Sequence, residues 1–137
     1  MMVREVMTQD VKIASPEDDL QTAAQLMQQE DFGILPVAEN DRLIGMVSDR
    51  DITIRAVAKG LSPRECHVRD VMSPGVKYVY DDDSLEDTAR TMGDLQVRRL
   101  PVLDRTKRLV GIVSLGDLAV RKERPAGEAL KDISEPT

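Results

Sequence analysis

One pattern occurs twice along this chain of 137 residues. The stretch VREVMT at residues 3–8 returns as VRDVMS at residues 68–73, and LPV at residues 35–37 returns unchanged at residues 100–102. Both pairs are separated by 65 residues. A repeat of this length predicts two similar folded units, which can pack on each other about an approximate two-fold axis.

The spacing between the copies changes once. RLIGMVS at residues 42–48 returns as RLVGIVS at residues 108–114, now 66 residues later, so the second copy carries one extra residue near Lys107. Asp51 and Asp117 keep the new spacing. The repeat predicts a first unit over residues 1–60, a linker over 61–67, a second unit over 68–122 and a tail over 123–137 with a short helix at 126–133.

Each copy predicts the same order of elements: strand, helix, strand, strand, helix. The fold class is therefore α/β of the α+β kind, with two β-α-β-β-α units. In the first copy the predicted elements are an extended piece at 11–14, a helix at about 17–30 capped by Ser15 or Asp18, a strand at 34–38, a strand at 43–47 covered on both faces, and a helix at 49–59 ended by Gly60. In the second copy they are an extended piece at 78–80, a helix capped within 81–84, strands at 100–103 and 109–113, and a helix at 115–122. The first helix is expected to turn Leu20, Ala23, Ala24, Met27 and Gln28 to one face.

Composition restricts the environment and the partners. Hydrophobic residues make up 41% of the chain and aromatic residues only 2%, so the core must be aliphatic. The net charge of −6 disfavours nucleic acid as the main partner, which needs a basic face. A single cysteine excludes an intrachain disulfide and favours a reducing compartment. With no signal peptide or apolar span apparent, the sequence predicts a cytoplasmic protein that does not bind membranes.

Catalytic residues are hard to find in the sequence. The one cysteine, Cys66, and the one histidine, His67, are neighbours in the predicted linker. The pair is consistent with half of a metal site, with a reactive thiol, or with a surface residue beside a small buried one. A zinc set needs further cysteine or histidine ligands, and the sequence has none. We predict no catalytic residue, no metal and no required cofactor.

The strongest chemical signal is a serine and an aspartate three residues apart at the end of a glycine-bearing strand. The pair occurs as Ser48 with Asp51 and again as Ser114 with Asp117. A serine hydroxyl and the N–H groups of a helix start can hold a phosphate, and a carboxylate can accept hydrogen bonds from both hydroxyls of a ribose. The alternative is a helix N-cap with a capping box, which uses the same two residues. Recurrence in both copies favours the ligand.

Taken together and repeated, these motifs resemble the cystathionine β-synthase (CBS) domain, present as a tandem pair over residues 3 to about 120. The resemblance implies that the two units pack through their sheets and leave two clefts between them, which bind adenosine compounds such as AMP, ADP, ATP or S-adenosylmethionine. It also implies that each binding site combines residues from both units. Ser48 and Asp51 would face Tyr78, Val97, Arg98 and Pro101, while Ser114 and Asp117 would face Ile13, Phe32, Gly33 and Pro36.

Basic residues are distributed unequally between these two predicted sites. Arg98 and Arg99 occupy a position where the family often has a phosphate-binding residue, whereas the first copy has Gly33 and Ile34. Arg50 lies between Ser48 and Asp51, and Gly116 replaces it in the second copy. The Ser48–Asp51 site is therefore expected to hold a charged phosphate better. The alternatives are a solvated strand edge for the arginines and core packing for Phe32.

Three functions remain open from the sequence. The first is a regulatory module that binds an adenosine ligand and signals through a separate effector protein or through a homodimer, which the resemblance implies. The second is a structural or interaction module with degenerate clefts that bind no nucleotide. The third is a small enzyme with Cys66 as its nucleophile.

Overall fold

The chain alternates short helices and strands in the order that the repeat predicts. The computed structural model describes residues 1–122, so the helix predicted at 126–133 lies outside the described residues. In chain order the elements are α1 (Leu20–Glu30), β1 (Ile34–Glu39), β2 (Arg42–Ser48), α2 (Asp49–Arg55), α3 (Val68–Val71), β3 (Val79–Tyr80), α4 (Leu85–Leu95), β4 (Arg99–Leu103), β5 (Leu109–Ser114) and α5 (Leu115–Lys122). Short 3₁₀ helices occur at Val3–Glu5 and Val57–Lys59.

The fold is α+β and divides into two compact units whose limits differ from those of the repeats. The first unit comprises Lys12–Val76, and the second combines Met1–Val11 with the chain from Lys77 onward. The first unit contains the antiparallel pair β1–β2. The second contains a three-stranded sheet, in which the central strand β4 runs parallel to β3 and antiparallel to β5.

The unit limits differ because the opening segment of each repeat packs with the other repeat. We call these segments, residues 3–8 and 68–73, the leaders. In the second unit Thr8 pairs with Ile112 of β5, through backbone hydrogen bonds of 2.8 and 2.9 Å. In the first unit Ser73 pairs with Met46 of β2 in the same way, at 2.8 and 3.0 Å. The leader of each copy therefore completes the sheet edge of the opposite copy. A fully buried valine anchors each leader, Val3 in one and Val68 in the other.

The two hairpins turn differently. Asn40 and Asp41 connect β1 to β2 with φ values of 54° and 63°, the two-residue turn that suits a twisted antiparallel pair. The extra residue of the second copy lengthens the turn between β4 and β5, where Lys107 has a φ of 69°. Such a position favours glycine, so Lys107 is held there by its surroundings.

Helix α1 begins later than the sequence predicts. Its N-cap is Asp19, whose carboxylate accepts a hydrogen bond of 2.7 Å from the Thr22 N–H, so the prediction of Ser15 or Asp18 as the cap is wrong. Asp18 instead accepts from the Ser15 N–H in the preceding turn. The inward face comprises Leu20, Ala23 and Met27 with half-buried Leu26, whereas Ala24 and Gln28 are exposed.

Each unit has its own aliphatic core. Leu20, Leu35, Val37 and Val47 are at most 1% exposed in the first unit, and Val3, Val102 and Val113 are fully buried in the second. In strand β2 Gly45 and Val47 are buried while Ile44 and Met46 are half-buried, so one of the two faces predicted to be covered is covered fully and the other in part. Ile34, predicted to lie in a buried strand, is 40% exposed. Among the described residues, every helix is too short or too polar to span a bilayer.

Candidate functional site

The Ser48–Asp51 pair forms a reciprocal cap at the start of α2. The Asp51 N–H donates to Ser48 Oγ at 3.0 Å, and the Ser48 N–H donates to Asp51 Oδ2 at 2.9 Å. The strand β2 ends at Ser48, so the chain must turn there and the pair satisfies donors that the helix start leaves open. The capping box considered as the alternative is therefore confirmed for the first copy.

The second copy repeats this geometry at the start of α5. The Asp117 N–H donates to Ser114 Oγ at 3.0 Å, and the Ser114 N–H donates to Asp117 Oδ2 at 2.9 Å. All four side chains are half-buried, so they are ordered by the fold and still reach the surface.

Capping leaves part of each pair available for a ligand. The serine oxygen accepts a hydrogen bond in the cap, so its own proton can still be donated. The aspartate uses Oδ2 in the cap, which leaves Oδ1 to accept from another donor. The pair can thus cap a helix and bind a hydroxyl group at the same time.

In the first unit Gly33 and Ile34 lie beside this cap. The Asp49 N–H donates to the Gly33 carbonyl at 2.8 Å, and Ile34 is the strand partner of Ser48. Pro36 is buried, and its carbonyl accepts from the Ala14 N–H at 2.9 Å. Ile13 and Phe32 are exposed, at 41% and 36%, so Phe32 is not a core residue.

The second unit groups the corresponding residues in the same way. The Leu115 N–H donates to the Arg98 carbonyl at 2.8 Å, and Arg99 is the strand partner of Ser114. Both arginines are exposed, while Pro101 is buried and Val97 packs against the core. Tyr78, just before β3, is half-buried. The residues predicted to face each other belong to different units, so their combination in one binding site stays a prediction.

Sequence reasoning missed Asp49, whose carboxylate lies against Gly33. A Cβ atom at position 33 would come within 2.6 Å of Asp49 Oδ2, which explains why a glycine occupies it. Asp49 Oδ1 also accepts from the Arg50 N–H at 2.7 Å. The first three N–H groups of α2 are therefore all engaged within the unit. A phosphate at this position would meet a carboxylate, which opposes the attraction expected from Arg50. In the second copy Leu115 replaces Asp49.

Sequence reasoning also missed Arg55, which links Asp51 to the end of α3. Its Nε atom lies 3.9 Å from Asp51 Oδ1, and its guanidinium donates to the Val71 carbonyl at 2.9 Å. Asp51 and Arg55 are four residues apart on α2, a spacing that brings side chains together. Arg55 therefore places a positive charge beside the carboxylate oxygen that the cap does not use.

A third feature is a cluster of aromatic and basic side chains in the second unit, which we call the tyrosine–lysine cluster: Tyr78, Tyr80, Arg105 and Lys107. The Tyr78 and Tyr80 rings meet edge to face with centroids 5.6 Å apart. Arg105 lies 4.0 Å above the Tyr80 ring, and Lys107 Nζ donates to the Tyr78 hydroxyl at 3.3 Å. Tyr80 and Lys107 both lower the pKa of Tyr78.

Cys66 lacks the environment of a nucleophile. It is buried, and its Sγ lies 3.9 Å from Asp70 Oδ2. Burial raises the pKa of the Cys66 thiol, and the Asp70 charge raises it further, whereas a catalytic thiolate needs a lowered pKa. Within residues 1–122 no group of three or more histidine, cysteine, aspartate or glutamate side chains could hold a metal ion.

Two repeated α+β units, each with a capped serine–aspartate pair, define a tandem module. The family model for the CBS domain matches residues 3–57 and 68–133. The CBS domain-containing protein YhcV of Bacillus subtilis is 43% identical over 134 residues, covering 96% of this chain and 94% of that protein. The chain belongs to the CBS domain family, as the sequence resemblance indicates.

Solved structures show the same fold. Hypoxic response protein 1 of Mycobacterium tuberculosis is 38% identical over 117 residues, covering 85% of this chain and 81% of that protein. A crystal structure of Hypoxic Response Protein I with two coordinated zinc ions has a TM-score of 0.77 at 36% identity and covers 88% of this chain and 98% of its own. The structure of CBSX2 in complex with AMP has a TM-score of 0.75 at 29% identity and covers 90% of this chain and 98% of its own. CBSX2 comes from Arabidopsis thaliana.

Proposed function

We propose that the chain is a regulatory module that binds an adenosine-containing ligand through its two serine–aspartate pairs. The observation that carries this proposal is that both pairs have the same geometry and keep a hydroxyl proton and a carboxylate oxygen for a ligand. The AMP complex of CBSX2, a protein of the same fold at 29% identity, supports the choice of ligand class.

The ligand would act by stabilising one arrangement of the protein over another, since it can shift an equilibrium only by its differential affinity. We propose that the signal then passes to a separate effector protein or to a homodimer, that the protein works in the cytoplasm, and that it catalyses no reaction. The raised pKa of the Cys66 thiol argues against an enzyme that uses Cys66 as its nucleophile.

The test is a calorimetric and thermal-shift comparison of AMP, ADP, ATP, S-adenosylmethionine and NAD. A ligand that binds the native state alone must raise its melting temperature by mass action. Asp51→Ala and Asp117→Ala should each weaken binding, by about 1–3 kcal/mol for each lost charged hydrogen bond. From the placement of the arginines in the sequence, the larger loss is predicted for Asp51→Ala.

Asp70→Ala provides a matched control. Asp70 likewise accepts a hydrogen bond from the N-cap N–H of its helix, that of His67 at 3.0 Å, but has no predicted ligand role. All three variants should lose comparable helix-capping stability, while only Asp51→Ala and Asp117→Ala should lose ligand affinity. Equal affinities in all variants would contradict the proposal.

A structural or interaction module without a ligand is the second candidate. It is favoured by the fact that capping alone accounts for both pairs. The same titration distinguishes the two candidates, because this one predicts no change in melting temperature at millimolar ligand for the unmodified protein.

A further inference from the structure

The extra residue of the second repeat creates the turn that carries Lys107. The first hairpin turns through Asn40 and Asp41 alone, whereas the second turns through residues 105–107. Asp104 organises this longer turn: its carboxylate accepts from the N–H groups of Thr106 and Arg108, at 2.9 and 3.1 Å. The third residue of such a turn takes a left-handed conformation, and Lys107 occupies that position with a φ of 69°.

Lysine is a poor choice for the turn itself. A residue with a Cβ atom is strained at this φ, and glycine would remove the strain. The Lys107 side chain is nevertheless used, because Nζ donates to the Tyr78 hydroxyl and lies 5.8 Å from the centroid of its ring. The Tyr78 ring is further held by the edge of Tyr80, which Arg105 covers while also pairing with Asp82 at 2.8 Å.

Tyr78 thus has a fixed position that its counterpart in the first repeat lacks. The counterpart is Ile13, which is 41% exposed and offers no hydroxyl to a basic side chain. Tyr78 is also one of the residues that the CBS resemblance places opposite Ser48 and Asp51 in an adenosine site. A ring that is already oriented costs less entropy when a ligand binds.

We propose that Lys107 is a positioning residue that fixes the Tyr78 ring as a preformed wall for the adenosine ligand. This inference depends on the proposed function. It assigns a role to a residue of the turn that the extra residue of the second copy lengthens. In the proposed adenosine sites, the second repeat contributes the Tyr78 ring as a rigid aromatic wall, and the first repeat contributes the aliphatic side chain of Ile13.

Lys107→Gly tests the inference because it should move stability and binding in opposite directions. Glycine relieves the left-handed turn, so the melting temperature should stay equal or rise. Loss of the Lys107–Tyr78 hydrogen bond should weaken AMP binding about three- to tenfold. Lys107→Arg, which keeps a donor for the Tyr78 hydroxyl, should restore most of the affinity. Asn40→Gly, at a left-handed position of the first hairpin with a φ of 54°, is the control and should leave AMP affinity unchanged.

The phenol of Tyr78 gives a second measurement that does not depend on nucleotide. The chain has two tyrosines and no tryptophan, so ultraviolet absorbance reports tyrosinate directly. Lys107 contributes to the lowered pKa of Tyr78, so Lys107→Gly should raise that pKa toward its ordinary value. If the unmodified protein binds none of the nucleotides, the proposed function and this inference both fail. If it binds AMP and Lys107→Gly binds equally well, the inference alone is overturned.

Discussion

Replacing Gly111 with alanine should displace the N-terminal leader from the second unit. Gly111 lies in β5 under the leader, and a Cβ atom there would be 2.6 Å from Met7 Sδ and 2.9 Å from the Thr8 carbonyl oxygen. The methionine sulfur is the far end of a flexible side chain and can move. The Thr8 carbonyl cannot move alone, because it accepts the Ile112 N–H at 2.9 Å.

The magnitude follows from those contacts. Moving Thr8 away weakens two backbone hydrogen bonds, each with a net contribution of about 0.5–1.5 kcal/mol. The expected loss in free energy of unfolding is therefore about 1–3 kcal/mol, which is also the range for overpacked cores. Urea denaturation followed by circular dichroism measures this loss, and hydrogen exchange at Thr8 and Ile112 locates it.

Alanine substitutions at two other glycines give reference values for the stability loss expected at Gly111. At Gly45, the equivalent position in the first unit, the nearest atoms are Met72 Sδ at 2.9 Å and the Ser73 oxygen at 3.0 Å, so Gly45→Ala should cost less. Gly93 lies within α4, and beyond its own helix backbone no atom comes within 4 Å of where an alanine methyl group would lie. Gly93→Ala should therefore stabilise the protein by about 0.5–1 kcal/mol. A Gly111→Ala variant with an unchanged urea midpoint and unchanged exchange at Thr8 would refute the reasoning.

Two further substitutions test other features of the structure. The Thr88 hydroxyl is buried without a hydrogen-bond partner among the described residues, so Thr88→Val should raise the free energy of unfolding by about 1 kcal/mol. Thr91→Val, which loses a 3.0 Å bond to the Asp87 carbonyl, should give no such gain in the same denaturation assay. Asp49→Asn removes the carboxylate at the start of α2 and should tighten AMP binding about two- to fivefold while leaving adenosine binding unchanged. Calorimetry with both ligands checks this, and an equal change for adenosine would rule out a charge effect.

The repeat and the local patterns predict the elements well, because hairpins and helix caps depend on neighbouring residues. The Ser48–Asp51 and Ser114–Asp117 caps are examples, since each needs only two residues three positions apart. The errors in α1 are also local: several short polar residues precede it, and only Asp19 has the geometry to reach the Thr22 N–H.

Contacts between distant residues could not be predicted from the sequence. Asp49 reaches Gly33 only after β1 and β2 have paired, and Lys107 reaches Tyr78 across 29 residues. The basic residues near the predicted sites were visible in the sequence, but the carboxylate that opposes them at α2 was not recognised. Its role depends on where the backbone places it.

The exchange of leaders has a consequence for how the protein is made. Residues 1–11 are synthesised before their partner strand β5, which follows about a hundred residues later. The first unit needs only residues 12–76 and can form while synthesis continues, since contiguous pieces fold as they emerge. A fragment ending at residue 60 would lack Ser73, which covers the edge of β2, and a fragment starting at residue 61 would lack Thr8, which covers the edge of β5. The gene therefore cannot be divided between its repeats without exposing strand edges to aggregation.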